Sequence, residues 1–260
     1  MNELKWILPS SVSRELAADE MKEWAKSGIL TPFNFLSAKE LQKLKGIYVP
    51  YLLYSCEMEG QIFGCGKKKV KQITSNEVMV RIEEYDIDKK AEASYENIPV
   101  CVSKTIEAAE MEVPGTFDFS RLKPFEEKYL KDFSLEGEKA GEVGAAALAA
   151  RCDAEAEKLR KRLKKDFANQ MKQAAAEDYD ELSAEAESAD ILKERAICAY
   201  LPIWIYKYQY LGKQHTVIMN GENGEVSGKL PKSIGKTIAL FVIAAAVVFF
   251  AAMVLGGGLI

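Results

Sequence analysis

Two short runs of cations and one lone histidine are the side chains of this sequence with the types to do chemistry. Gly64-Cys65-Gly66-Lys67-Lys68-Lys69 sets glycines beside lysines, the ingredients of a phosphate cradle. The spacing G-x-x-x-x-G-K-[ST] is missing, however, and no helix signal opens after it. The plain reading is a basic hairpin tip. The alternative is contact with acidic lipid headgroups, where each basic residue near a membrane surface adds about 1 kcal/mol. Lys158, Arg160, Lys161, Arg162, Lys164 and Lys165 form the second run, crowding the polar arc of a helix beside Leu159 and Leu163. A solvated face, neutralised by the acidic segment from Glu177 to Glu187, is one account; anionic lipid or an acidic partner is the other. His215 is the only side chain whose ordinary pKa lies near neutrality. It sits in QHTVIMN with no G-x-S-x-G or other nucleophile signature, so a structural or surface role is expected. Paired carboxylates such as Glu83 and Glu84 are too numerous to single out an acid–base couple. No catalytic residue and no cofactor are expected.

The five cysteines (Cys56, Cys65, Cys101, Cys152, Cys198) are far apart and include no C-x-x-C pair. A tetrahedral zinc site needs clustered thiolates or imidazoles, so no metal is expected. In a reducing compartment they read as small apolar residues without a disulfide. The net charge of −4 argues against nucleic acid as a partner, since that needs a strongly basic face. With 48% apolar and 28% charged residues the chain is expected to fold rather than stay disordered.

These residues have to be positioned by something, and the C-terminus says where. Thr237 to Ile260 holds no charged side chain and follows Lys229, Lys232 and Lys236. At about 1.5 Å per residue this run extends roughly 36 Å as a helix, against a hydrocarbon core of about 30 Å. It is apolar on every face, unlike the striped helix of a soluble core. The lysines lie on one side of it only, and the N-terminus MNELKWILPSSVS has no signal-peptide pattern. Both place the preceding residues in the cytoplasm, with membrane lipid as one partner.

Ahead of this span the pattern is mixed. Ser11–Ser27 reads as a helix with Ser13 as N-cap, Leu16, Met21 and Trp24 among its apolar positions, and Gly28 as its stop. A second short helix follows Ser37, where Ser37 and Glu40 form a capping box. From Ile47 β-branched and aromatic residues dominate, punctuated by Gly60, Gly64, Gly66 and Asn76, which predicts an antiparallel meander. Residues 103–136 are irregular with short helical turns. Residues 138–177 predict one long amphipathic helix: Leu148, Cys152, Ala156, Leu159, Leu163, Phe167 and Met171 form a single apolar stripe, with Gly141 and Gly144 loosening its start. After a turn at Asp178–Glu181 the strand pattern returns with ILKERAICAYLPIWIYKYQY, then QHTVIMN and EVSGKLP. Leu211-Gly212-Lys213 and Gly221–Gly224 supply the turns.

The expectation is an α+β fold: an antiparallel sheet with one long amphipathic helix, short N-terminal helices and a C-terminal transmembrane helix. Residues 1–230 make the cytoplasmic domain, with two β units around 46–102 and 187–230 joined by helix 138–177. Residues 231–236 are a basic linker and 237–260 the span. The β units echo each other, since Tyr48–Tyr54 and Tyr200–Tyr206 share Y-x-P-x-x-x-Y with apolar residues between.

GIYVPYLLYSCEMEG, SYENIPV, LKPFEEKYL, AYLPIWIYKYQYLGKQHTVIMNGENGEVSGKLP and the closing apolar span together resemble a bacterial family of zinc-ribbon-containing membrane proteins. That family often carries a misleading replication-restart helicase label. The similarity runs from about Trp6 to the end and matches the part that follows the ribbon; no cysteine quartet here replaces it. The resemblance implies no enzymatic activity and no catalytic residues. It implies a membrane-anchored adaptor or scaffold that recruits soluble components, with flotillin-like or phage-shock envelope-stress proteins as partners. The competing expectation is a tethered lipid or ligand sensor, its two aromatic strands lining a pocket.

Overall fold

The computed structural model describes residues 6–74, 77–103, 113–136 and 145–256. It is α+β, with mostly antiparallel strands, a long helix and one C-terminal apolar helix. The chain divides into two units. One comprises Met1–Trp6, Pro50–Val102 and Ala140–Ala199; the other comprises Ile7–Val49, Ser103–Lys139 and Tyr200–Ile260.

The first unit is built on a long hairpin. Strand β2 (Lys45–Thr74) pairs antiparallel with β3 (Glu77–Cys101) from Tyr51 opposite Cys101 to Thr74 opposite Glu77, with a bulge between Tyr54 and Cys56. A meander with turns at Gly60, Gly64 and Gly66 was expected; instead β2 runs straight through all three. They are sites of close approach. A Cβ on Gly60 would lie 2.7 Å from Met171 Sδ, one on Gly64 would lie 2.2 Å from the Ser183 carbonyl oxygen, and one on Gly66 would meet the Tyr179 ring at 2.5 Å. Glycine inside a strand commonly marks such contact. The expected turn at Asn76 lies outside the described residues.

Strand β6 (Glu181–Tyr210) neighbours β2 and starts at Glu181 rather than Ile191. Its acidic first part was not legible as strand, but backbone pairing holds it there. The Asp180 N–H donates to the Lys67 carbonyl at 2.8 Å, and the Lys69 N–H donates to Asp180 Oδ2 at 2.6 Å. Helix α3 (Ala145–Ala176) lays the predicted stripe on the hairpin. Leu148, Cys152, Ala156, Leu163, Phe167 and Met171 are buried against Leu52, Tyr54, Cys56, Met58 and Cys198, with Leu159 partly buried beside them. Each large apolar side chain so buried contributes about 1.5–3 kcal/mol. The expected start of the helix at 138–144 lies outside the described residues. One expectation is corrected here: Cys152 and Cys198 form a disulfide, their Cα atoms 6.7 Å apart, which Cys56 and Cys65 do not join. The pairing joins α3 to β6, a proximity that a separation of 46 residues does not announce.

In the second unit α1 (Arg14–Lys26) starts at Ser13, whose side chain accepts from the Leu16 N–H, and it buries Ala17, Met21 and Ala25. Leu16 is not on the inner face and stays exposed. Ser37 caps α2 (Ala38–Leu41) by accepting from the Glu40 N–H. The last part of β6 pairs antiparallel with β7 (Lys213–Asn220), and β7 with β8 (Val226–Gly228). Leu211 and Gly212 turn the β6–β7 hairpin with φ of 50° and 75°, the left-handed pair a tight hairpin requires. Strand β1 (Trp6–Ile7) lies between β6 and β4 (Lys123–Pro124), and β5 (Phe133–Leu135) runs parallel to Gly46–Tyr48. The core gathers Met21, Leu44, Trp204, Tyr206, Val217 and Met219. The Trp204 ring N–H is satisfied by the Val12 carbonyl at 3.2 Å. Helix α4 (Ile234–Gly256) closes the unit.

Candidate functional site

Among the described residues one helix is long and apolar enough to cross a membrane, Ile234–Met253, and none of it is buried in protein. Side chains such as Phe241, Val248 and Phe250 stand in the open. The segment leading into this helix is fastened to the second unit by polar contacts. Tyr208 and Tyr210, on β6, donate their hydroxyl protons to the carbonyls of Lys229 and Lys232. The Ser233 N–H donates to the Leu30 carbonyl at 2.8 Å, and Ser233 Oγ accepts from the Lys236 N–H, capping α4. The Lys236 ammonium donates to the Thr31 carbonyl at 2.6 Å and lies 3.7 Å from the centre of the Phe33 ring. Lys229 and Lys232 are exposed and form no ion pair among the described residues. The sequence marked the three lysines. It did not mark the loop between α1 and α2 that meets them.

The two cationic runs are arranged differently from that junction. Lys67, Lys68 and Lys69 lie in the last third of β2, opposite Glu84, Glu83 and Ile82 of β3 and a few residues before the hairpin closes at Thr74 and Glu77. Lys67 pairs with Glu84 at 2.9 Å, Lys69 with Glu181 at 3.2 Å, and Lys68 lies over the rings of Tyr85 and Tyr179. On α3, Lys158 pairs with Glu155, Lys161 with Glu157, Arg162 with Asp166 and Lys164 with Asp190. Arg160 reaches both Glu157 and Glu194. Lys165 is exposed and forms no ion pair among the described residues. Exposed pairs of this kind contribute about 0–1 kcal/mol each, so they locate the cations without fixing them firmly.

One network was missed by the sequence reading. Glu194, on β6, accepts from Arg160 through both oxygens, at 2.9 and 2.8 Å, and from the Tyr54 hydroxyl at 2.7 Å. The Arg160 guanidinium, then the Tyr54 hydrogen bond, hold the Glu194 carboxyl below its usual range. Burial, and then Glu194, push the Tyr54 phenol up; the neighbouring Cys56 thiol is raised by burial first as well. Beside the network a cleft of about 290 Å³ is lined by Ser55, Cys56, Tyr95, Lys193 and Glu194. The network's bonds tie Arg160 on α3 and Tyr54 on β2 to Glu194 on β6. His215 stacks on Tyr208, its cross-strand partner, with ring centres 5.2 Å apart. The aromatic strand residues Tyr54, Trp204 and Tyr206 are buried in the core. No group of metal-ligating side chains occurs among the described residues.

The chain is 24% identical over 259 residues to an uncharacterised Bacillus subtilis protein, YdjG, an alignment covering 97% of this chain and 72% of that protein. No family model matches the chain. No solved structure matches it either.

Proposed function

We propose that this protein is a membrane-anchored, non-enzymatic adaptor that assembles other proteins at the cytoplasmic face of the bacterial inner membrane. The observation that carries the reading is α4: a helix of membrane-spanning length whose side chains find no protein to bury them. An apolar surface of that size on a soluble monomer would be an aggregation site. The basic residues Lys229, Lys232 and Lys236 on its leading side support an orientation with the folded body inside the cell. Strand β3 supplies a recruitment surface. It ends the strand order of the first unit, and Met79, Val80 and Ile82 are exposed along it. Among the described residues β2 is its strand neighbour, and a terminal strand of a sheet is a template for an added strand from another chain. Tethering raises the effective concentration of even a weak partner beside the membrane. The resemblance to ribbon-containing membrane proteins names flotillin-like or phage-shock proteins as the class to look for.

The test is affinity isolation of the full chain from membranes in mild detergent after brief cross-linking. Recovery of stoichiometric partners whose cross-links map to β3 supports the adaptor; recovery of the bare monomer alone counts against it.

A further inference from the structure

We infer that the loop between α1 and α2, residues 27–37, is a second membrane contact, with Ile29 and Phe33 seated in the interfacial layer of the bilayer beside the point where α4 enters it. The inference rests on α4 being a membrane anchor, and it adds a surface that the anchor alone does not require.

Three observations carry it. The loop is bound to the first turn of α4, through Leu30 to Ser233 and through Thr31 to the Lys236 ammonium. Lys236 is the last cation before the uncharged run, so its level marks where α4 passes from water into lipid. Phe33 lies against that ammonium at 3.7 Å and is therefore at the same level. Ile29 and Phe33 are nevertheless 84% and 92% exposed. Here the bilayer that receives α4 is the surface continuous with them. The third observation is the cleft of about 680 Å³ between the loop and α4, lined by Trp24, Ile29, Leu30, Leu230 and Leu240 together with Lys229 and Lys232. Apolar and cationic side chains in one cleft suit an acyl chain and its phosphate, and aromatic and basic residues are the types that collect at the membrane interface.

Because Phe33 is almost entirely exposed, replacing it disturbs no packing, and Phe33→Trp reports the environment of the loop. The full chain would be placed in nanodiscs of mixed phosphatidylcholine and phosphatidylglycerol, with bromine atoms near the carbonyl end of the acyl chains. The emission added by Phe33→Trp over the parent protein is expected to fall about twofold relative to unbrominated discs, and to resist aqueous iodide. Phe249→Trp, deep in α4, is the control, read with bromines near the methyl end. If Phe249→Trp is quenched while Phe33→Trp is not, the loop faces water or protein and the inference is overturned with the anchor left standing. If neither responds, the anchor reading falls and takes this one with it.

Discussion

The Tyr54 hydroxyl donates to Glu194 at 2.7 Å across the first unit, and within the second unit Tyr206 makes the same kind of bond to Glu40 at 2.8 Å. These tyrosines are the closing residues of the two Y-x-P-x-x-x-Y echoes in the sequence. In each copy the ring fills a core while its oxygen reaches a carboxylate, and a second partner, Arg160 or Lys43, holds that carboxylate from the other side. The repeated motif therefore encodes a repeated way of tying a buried strand to a charged surface. A buried phenol needs such a partner.

Removing the first of these hydroxyls tests the arrangement. Glu194 is lowered in the folded state, so its contribution is complete above the ordinary value of 4.5 and is lost as the pH falls through its depressed folded value. Because its side chain is 40% exposed, water screens the effect and replaces the lost donor. Tyr54→Phe is expected to cost about 1 kcal/mol at neutral pH. The cost should shrink at pH values well below that range. Urea midpoints of the full chain in micelles, measured at both pH values, check the sign; an equal or larger loss in acid would contradict it.

The glycines of β2 make a sharper case. Gly64→Ala places a methyl group against the backbone carbonyl of Ser183, which no rotamer can move aside, and should destabilise by about 1–3 kcal/mol. Gly212→Ala meets nothing within 4 Å and pays only for its φ of 75°, about 1 kcal/mol. Comparing the two midpoints separates steric closure from backbone strain. If Gly64→Ala is the milder change, β6 does not pack as described.

A core truncation on α3 gauges the stripe itself. Phe167 is 4% exposed and touches the open face of Gly60, so Phe167→Ala leaves a cavity that a glycine cannot collapse into. The expected loss is about 3–5 kcal/mol, read as a fall in the thermal midpoint with the membrane fraction unchanged.

Periodicity explains which features could be foreseen. The α3 stripe repeats with the helical period over several turns, and Ser13 and Ser37 act as local caps, so nearby residues carry those signals. The Gly64 contact with Ser183, the Glu194 bond to Tyr54 at a separation of 140 and the Lys236 contact with Thr31 at 205 are between residues that the linear pattern does not connect. The acidic opening of β6 looks like a solvated loop because its strand character comes from its neighbour β2, not from its own side chains. Tertiary context overrides local preference there. The long apolar helix α4 was legible for the opposite reason: composition alone specifies it, and none of Ile234–Met253 is buried in protein.

That independence from packing makes the proposed anchor the simplest feature to break. Ile243→Arg together with Val247→Arg puts two charges on one face of α4, near the middle of Ile234–Met253. Each arginine near the centre of a span costs about 2.5–3.5 kcal/mol of insertion, so the pair should abolish it. Neither side chain is buried against protein, so the folded units should keep their unfolding transition. The expected result is transfer of the protein from the carbonate-resistant membrane pellet to the supernatant, with circular dichroism of the rest unchanged. A variant that stays in the pellet would mean that another surface holds the protein at the membrane. Adding Phe33→Ser to the double variant then distinguishes the interfacial loop, whose loss would release the chain, from a protein partner, which would still retain it.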